Sequence, residues 1–116
     1  MTELSIIVPT LNEAAAIVDQ LASLQPLRQR GAEVIVVDGG SGDGTPALAA
    51  PLADSVIGAK CGRASQMNAG AARAQGRVLQ FLVLKQTADR QLGLNAAGTN
   101  GTVRLYRNLR AVVLMS

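Results

Sequence analysis

Histidine and tryptophan are absent from this 116-residue chain, and cysteine occurs once, as Cys61. Without histidine there is no imidazole base, no Ser-His-Asp triad and no Cys/His zinc finger. A single cysteine excludes an intrachain disulfide. With no histidine to activate it, Cys61 reads as a small semi-buried residue rather than a nucleophile. Acid–base chemistry therefore falls to carboxylates. Aromatic residues are nearly missing too: Phe81 and Tyr106 are the only ones. The core must be aliphatic, and platforms for stacking bases are lacking, so nucleic acid is not an expected partner. No apolar run approaches the length of a membrane span. The N-terminus has no basic stretch leading into an apolar run, so no signal peptide is expected and a cytoplasmic location is the default.

What is present suits one small folded domain, since 48% of the residues are hydrophobic. The charge is unevenly spread. Residues 1–80 carry six Lys/Arg against seven Asp/Glu, whereas residues 81–116 carry five against Asp89 alone. Composition thus divides the chain near residue 85, into an α/β region over 1–84 and a divergent basic tail over 85–116. The tail reads first as a solvated segment. Peripheral contact with an anionic membrane surface is the alternative.

The region 1–84 alternates strand and helix signals. Leu4-Ser5-Ile6-Ile7-Val8-Pro9 is a short β-branched run of the kind that lies covered on both faces in a parallel sheet. Asn12 offers a helix N-cap with Glu13 in the first turn, and Ile17, Val18, Leu21 and Leu24 follow at helical spacing until Pro26 closes the segment. Val34-Ile35-Val36-Val37 forms a second buried strand ending at Asp38, which completes a βαβ unit. A glycine-rich loop, Gly39 to Gly44, leads to a short helix opened by Thr45-Pro46 and ended early by Pro51. Ser55-Val56-Ile57 is a third strand, Arg63 to Gln75 a helix stopped by Gly76, and Val78 to Leu84 a fourth strand. In the tail, Arg104 to Met115 fits either a strand or a helix. The predicted fold is an open, mostly parallel three-layer α/β/α sheet.

Ligands of such sheets bind beyond the carboxyl ends of the strands. Parallel pairing brings Pro9-Thr10-Leu11-Asn12-Glu13 beside Asp38-Gly39-Gly40-Ser41. Asp38 there suits a base N–H or a ribose hydroxyl, or else caps the turn that follows. Gly39 and Gly40 let a ligand approach the backbone. Glu13 fits a pocket or a helix start, and Asp43 reads as a turn former. A third segment, Gly62-Arg63-Ala64-Ser65-Gln66-Met67-Asn68-Ala69-Gly70, places Arg63 near a helix N-terminus, where backbone N–H groups and a guanidinium favour a diphosphate. Gln66 and Asn68 are either polar members of that cradle or surface helix residues. A dinucleotide-binding fold wants its glycines after the first strand rather than the second, and a P-loop motif is absent.

In order and spacing, these segments resemble family 2 glycosyltransferases, which have the GT-A fold. The third is similar to a bacterial subgroup described as arsenosugar-type glycosyltransferases. The resemblance spans roughly residues 4–82, the N-terminal nucleotide-binding half. It implies that Pro9, Thr10, Asn12 and Glu13 line the nucleotide pocket, that Asp38 contacts the base or ribose with Gly39, Gly40 and Ser41 beside it, and that Arg63 and Asn68 lie near the nucleotide or its diphosphate. The implied partner is a nucleoside-diphosphate sugar. The implied reaction is inverting attack by an acceptor hydroxyl on the anomeric carbon.

The family follows its fourth strand with an acidic motif that binds Mg²⁺ or Mn²⁺. Here that strand runs into Val83-Leu84-Lys85-Gln86, and the nearest acid is Asp89 in Thr87-Ala88-Asp89, which is either a displaced metal ligand or a solvated loop residue. No catalytic base is assignable. The expectation is a chain truncated, rearranged or frameshifted relative to the family, with a non-catalytic nucleotide-binding or interaction module as the alternative to an active transferase. A half-domain also leaves apolar surface and a sheet edge that a homodimer would cover.

Overall fold

A computed structural model of the chain describes residues 2–83, together with the backbone of residues 104–106 and 110–115. The elements run β1 (Leu4–Thr10), α1 (Ala14–Ala22), α2 (Gln25–Gln29), β2 (Glu33–Asp38), α3 (Thr45–Ala49), a 3-10 turn (Ala50–Leu52), β3 (Ser55–Gly58), α4 (Arg63–Arg73), β4 (Val78–Leu82), β5 (Arg104–Tyr106) and β6 (Arg110–Met115). The strands form one sheet in the order β3-β2-β1-β4-β6-β5, parallel except for β5, which pairs antiparallel with β6. Within the undecided segment of the tail, residues 104–106 and 110–115 are therefore strand. Asp89 lies outside the described residues.

Strand order reverses direction after β3, and this decides where the helices lie. The chain steps β1 to β2 to β3 one way, then returns past both to pair β4 with β1. Crossovers of the same hand that move in opposite directions must cover opposite faces. Accordingly α1 and α3 pack on one face, where Ile17, Leu21 and Ala49 meet Ile6, Val8, Val34 and Val36. Helix α4 packs on the other, where Met67 and Ala74 meet Ile7, Ile35, Val37, Leu79 and Phe81. Alternate residues of β1 and β2 thus enter different cores, which is why both strands read as unbroken apolar runs.

Helix α4 and strand β4 end two residues earlier than the sequence pattern suggests, at Arg73 and Leu82, and two residues take other roles. Pro26 does not close a helix; it sits in the first turn of α2, where its missing N–H leaves no bond unmade. Asn12 is not the cap of α1. It adopts a left-handed backbone (φ 55°), and Glu13 occupies the cap position.

At the opposite end of the sheet from the strand carboxyl termini, fully buried Ser5 is satisfied on both sides. Its hydroxyl donates to Glu33 Oε1 at 2.7 Å and accepts the Gly76 N–H at 2.9 Å. The turn from α4 into β4 is pinned there.

Helix α4 reaches the sheet closely because residue 70 is glycine. A Cβ there would stand 2.4 Å from Ile7 Cγ2 and 3.0 Å from Val37 Cγ2. Alanine would gain about 1 kcal/mol in helix propensity. Overpacking a core costs about 1–3 kcal/mol, and here the clash is with branched side chains on two strands. Gly70→Ala is expected to lower the urea midpoint, whereas Gly42→Ala, with open space around it, leaves it nearly unchanged.

Candidate nucleotide site

The carboxyl ends of β1 and β2 lie side by side, with Thr10 in register with Asp38. Both side chains are buried, and the Thr10 hydroxyl donates to Asp38 Oδ1 at 2.8 Å. Ser41 Oγ donates to the same oxygen at 2.6 Å. Oδ2 accepts the N–H groups of Gly40 and Ser41, at 3.0 and 2.7 Å. Burial alone would raise the Asp38 pKa, but the bonds from Ser41, Thr10 and Gly40 together hold it below the ordinary carboxylate value. The carboxylate is ionised and fixed in place.

A second set of bonds staples the loop after β1 to the loop after β2. The Asn12 N–H donates to Ser41 Oγ at 2.7 Å, and the Gly42 N–H donates to Asn12 Oδ1 at 2.9 Å. Asparagine tolerates the left-handed backbone that this exchange requires. The Glu13 N–H donates to Thr45 Oγ1 at 2.9 Å, and the Ala14 N–H to Asp43 Oδ2 at 3.0 Å. The amino end of α1 is thus satisfied from the neighbouring loop rather than by its own cap residue. Bonding to Thr45 leads in lowering the Asp43 pKa. Partial burial, with the nearby Asp43 charge adding to it, raises that of Glu13.

Gln66 closes the floor. It is 4% exposed, and its amide nitrogen donates to the carbonyls of Thr10 and Val37, both at 2.9 Å. Its Oε1 accepts the Gly62 N–H at 3.1 Å. A Cβ on Gly39 would lie 2.8 Å from that oxygen, so Gly39 is glycine to admit Gln66. Gly40 has φ 105° and open space beside it, and its glycine serves the turn.

Of the residues singled out from sequence, Thr10, Asn12, Asp38, Gly39, Gly40 and Ser41 form one hydrogen-bonded cluster, with Glu13 tied in through its backbone. Pro9 is buried within β1. Arg63 is exposed as the first residue of α4 and makes no hydrogen bond or ion pair among the described residues. Asn68 is exposed on the same helix. Gln66 is the residue whose importance sequence reading underestimated. The signal was a polar side chain on the apolar stripe of Met67, Gly70 and Ala74.

The resemblance implies a divalent metal. Among the described residues no group of three His, Cys, Asp or Glu could hold an ion. The described residues at the end of β4 are the apolar Leu82 and Val83. These residues do not fit a metal centre.

A parallel sheet with a polar hub beyond two adjacent strand ends is an open α/β domain with its candidate ligand site at the carboxyl end of the strands. More narrowly, the chain belongs to glycosyl transferase family 2, whose profile matches residues 5–82. No curated protein matches the sequence. Two solved structures are similar. A mannosyltransferase from Pyrobaculum calidifontis, in complex with GDP-mannose and Mn²⁺, is 31% identical with a TM-score of 0.59, over 66% of this chain and 26% of its own. Glucosyl-3-phosphoglycerate synthase from Mycobacterium tuberculosis, in complex with Mn²⁺, UDP and glucosyl-3-phosphoglycerate, is 26% identical with a TM-score of 0.64, over 70% and 33%. The chain thus spans between a quarter and a third of the length of these two structures.

The depressed Asp38 pKa has a definite consequence for stability. Between its folded and unfolded pKa values the unfolded chain binds more protons, so stability rises with pH through that interval. The contribution is complete above about pH 5 and is lost as pH falls through the folded value. Asp38→Asn is expected to cost about 1–3 kcal/mol at pH 7, and the difference from wild type narrows towards pH 2 in urea titrations. Glu13, with its raised pKa, works in the opposite sense: what it contributes is present below its unfolded value and fades as pH rises.

Proposed function

We propose that this chain is the nucleotide-sugar-binding half of a glycosyltransferase that uses a nucleoside-diphosphate sugar and transfers the sugar with inversion. An acceptor hydroxyl attacks the anomeric carbon, the bond from that carbon to the diphosphate oxygen breaks, the nucleoside diphosphate leaves, and the hydroxyl proton passes to solvent. The observation that carries the reading is the ionised Asp38, held beside Thr10 at the end of β2, with the amino end of α4 joined to the same floor. The solved structures that share this fold hold GDP-mannose or UDP, each with Mn²⁺.

In this arrangement Asp38 receives the base or ribose. Rotation of Ser41 about one side-chain bond, which gives up its bonds to Oδ1 and to the exposed Asn12 N–H, would release Oδ1 to accept a ligand N–H or O–H beside Thr10. Thr10, Asn12 and Gly40 border it, while Arg63 and the first N–H groups of α4 attract the diphosphate. Asp89, outside the described residues, is the acid nearest in sequence to the position of the family's acidic motif.

A non-catalytic nucleotide-binding module is the second reading, favoured by the apolar Leu82-Val83 where the family's acidic motif approaches. Calorimetry with UDP-, GDP- and dTDP-sugars, with and without Mn²⁺, is expected to show binding that Asp38→Ala weakens at least about tenfold. Absence of binding by the folded chain, or an unchanged Asp38→Ala variant, would refute both readings. Sugar transfer or hydrolysis abolished by Asp89→Ala would decide for the enzyme.

A further inference from the structure

Gln66 is a buried amide with both N–H donors and its carbonyl oxygen engaged. Two carbonyls require its NH₂ and one N–H requires its oxygen, so its orientation is dictated by its partners, Thr10, Val37 and Gly62. An apolar side chain of equal volume would satisfy packing on this face of α4 without the desolvation that an amide incurs. What the amide adds is direction. Met67, Gly70 and Ala74 hold α4 against the sheet through apolar contacts, which are nondirectional and do not by themselves fix how far the helix slides along the strands. Two hydrogen bonds of 2.9 Å to the ends of β1 and β2 do fix it, and a third, at 3.1 Å, ties the helix's own cap residue Gly62 to the same amide.

The bonded groups lie where a nucleotide would be gripped. Thr10 is the residue that holds Asp38, and its carbonyl accepts the Gly39 N–H at 3.0 Å as well as Gln66. Gly62 is the cap residue of α4, directly before Arg63. Gly39 leaves the space that the Gln66 amide fills. Arg63 stands one turn before Gln66 on the same helix.

We propose that Gln66 is a positioning residue of the nucleotide site. It sets where Arg63 and the first turn of α4 stand relative to Thr10 and Asp38, so that one nucleoside diphosphate reaches both its base-side and phosphate-side contacts at once. Gln66 touches no part of the ligand. The inference rests on the nucleotide-sugar reading of the site.

The test separates phosphate-side from base-side binding on the full chain. Affinities for UDP and GDP come from calorimetry, and those for uridine and guanosine from ligand-detected NMR. Proteins compared are wild type, Gln66→Met, Arg63→Ala and the double variant. Methionine keeps the volume and removes all three hydrogen bonds. Gln66→Met is expected to weaken the better-bound diphosphate about tenfold or more while its nucleoside changes less than about twofold. Arg63→Ala should then have little further effect in the Gln66→Met background, the non-additivity of two residues acting as one unit. Equal losses for diphosphate and nucleoside, or additive effects of the two substitutions, would make Gln66 a packing residue and overturn the proposal. Should Gln66→Met not fold by circular dichroism, Gln66→Asn, a neutral amide one methylene too short to make the three bonds, carries the same cycle. If neither diphosphate binds wild type, the nucleotide reading falls and this proposal with it; binding with an additive cycle removes only the role of Gln66.

Discussion

Parallel strands that end side by side leave backbone carbonyls and N–H groups beyond the last rung of the ladder, in a region too buried for water to satisfy them all. In this protein that obligation is met by two side chains. Asp38 collects the N–H groups of the loop after β2 and the hydroxyls of Thr10 and Ser41. Gln66 supplies donors to the carbonyls of Thr10 and Val37. One is a pure acceptor and the other chiefly a donor, and Thr10 is bonded to both. Everything at this end of the sheet is arranged around that pair.

The two cores underneath make the arrangement possible. Because β1 and β2 are covered on both faces, their alternate side chains are committed to separate apolar layers, and a one-residue shift of either strand would exchange the layers. The register that places Thr10 opposite Asp38 is therefore set by burial of Ile6, Ile7, Val8 and their partners. Each such side chain contributes about 1.5–3 kcal/mol on full burial, about as much as one hydrogen bond to the ionised Asp38, and seven of them in β1 and β2 act together. Packing fixes the strands, and the polar hub then shapes the loops.

Glycine takes three distinct roles in this short segment. At Gly70 its missing side chain lets α4 approach Ile7, and at Gly39 it makes room for the Gln66 amide. At Gly40 it permits a positive φ. A ligand's close approach, the reading that glycine after a strand invites, is needed to explain neither Gly39 nor Gly40.

The sequence by itself determined the alternation of strands and helices over residues 4–82, the family, and the meeting of Thr10 with Asp38. Those features follow from local pattern: unbroken apolar runs, turn residues at strand ends, and three motifs in order. Tertiary structure alone decided what each polar residue does. Asn12 had the composition of a helix cap and became a left-handed staple, because its partners Ser41 and Gly42 come from another loop. Pro26 was read as a stop and became a start, since the first turn of a helix requires no N–H from it. Gln66 was ambiguous on a helical wheel. Its role depends on three backbone groups between 4 and 56 residues away in the chain, which no local pattern records. Hydrogen bonds between distant segments depend on where the packed sheet places their ends, and that placement is a property of the whole fold.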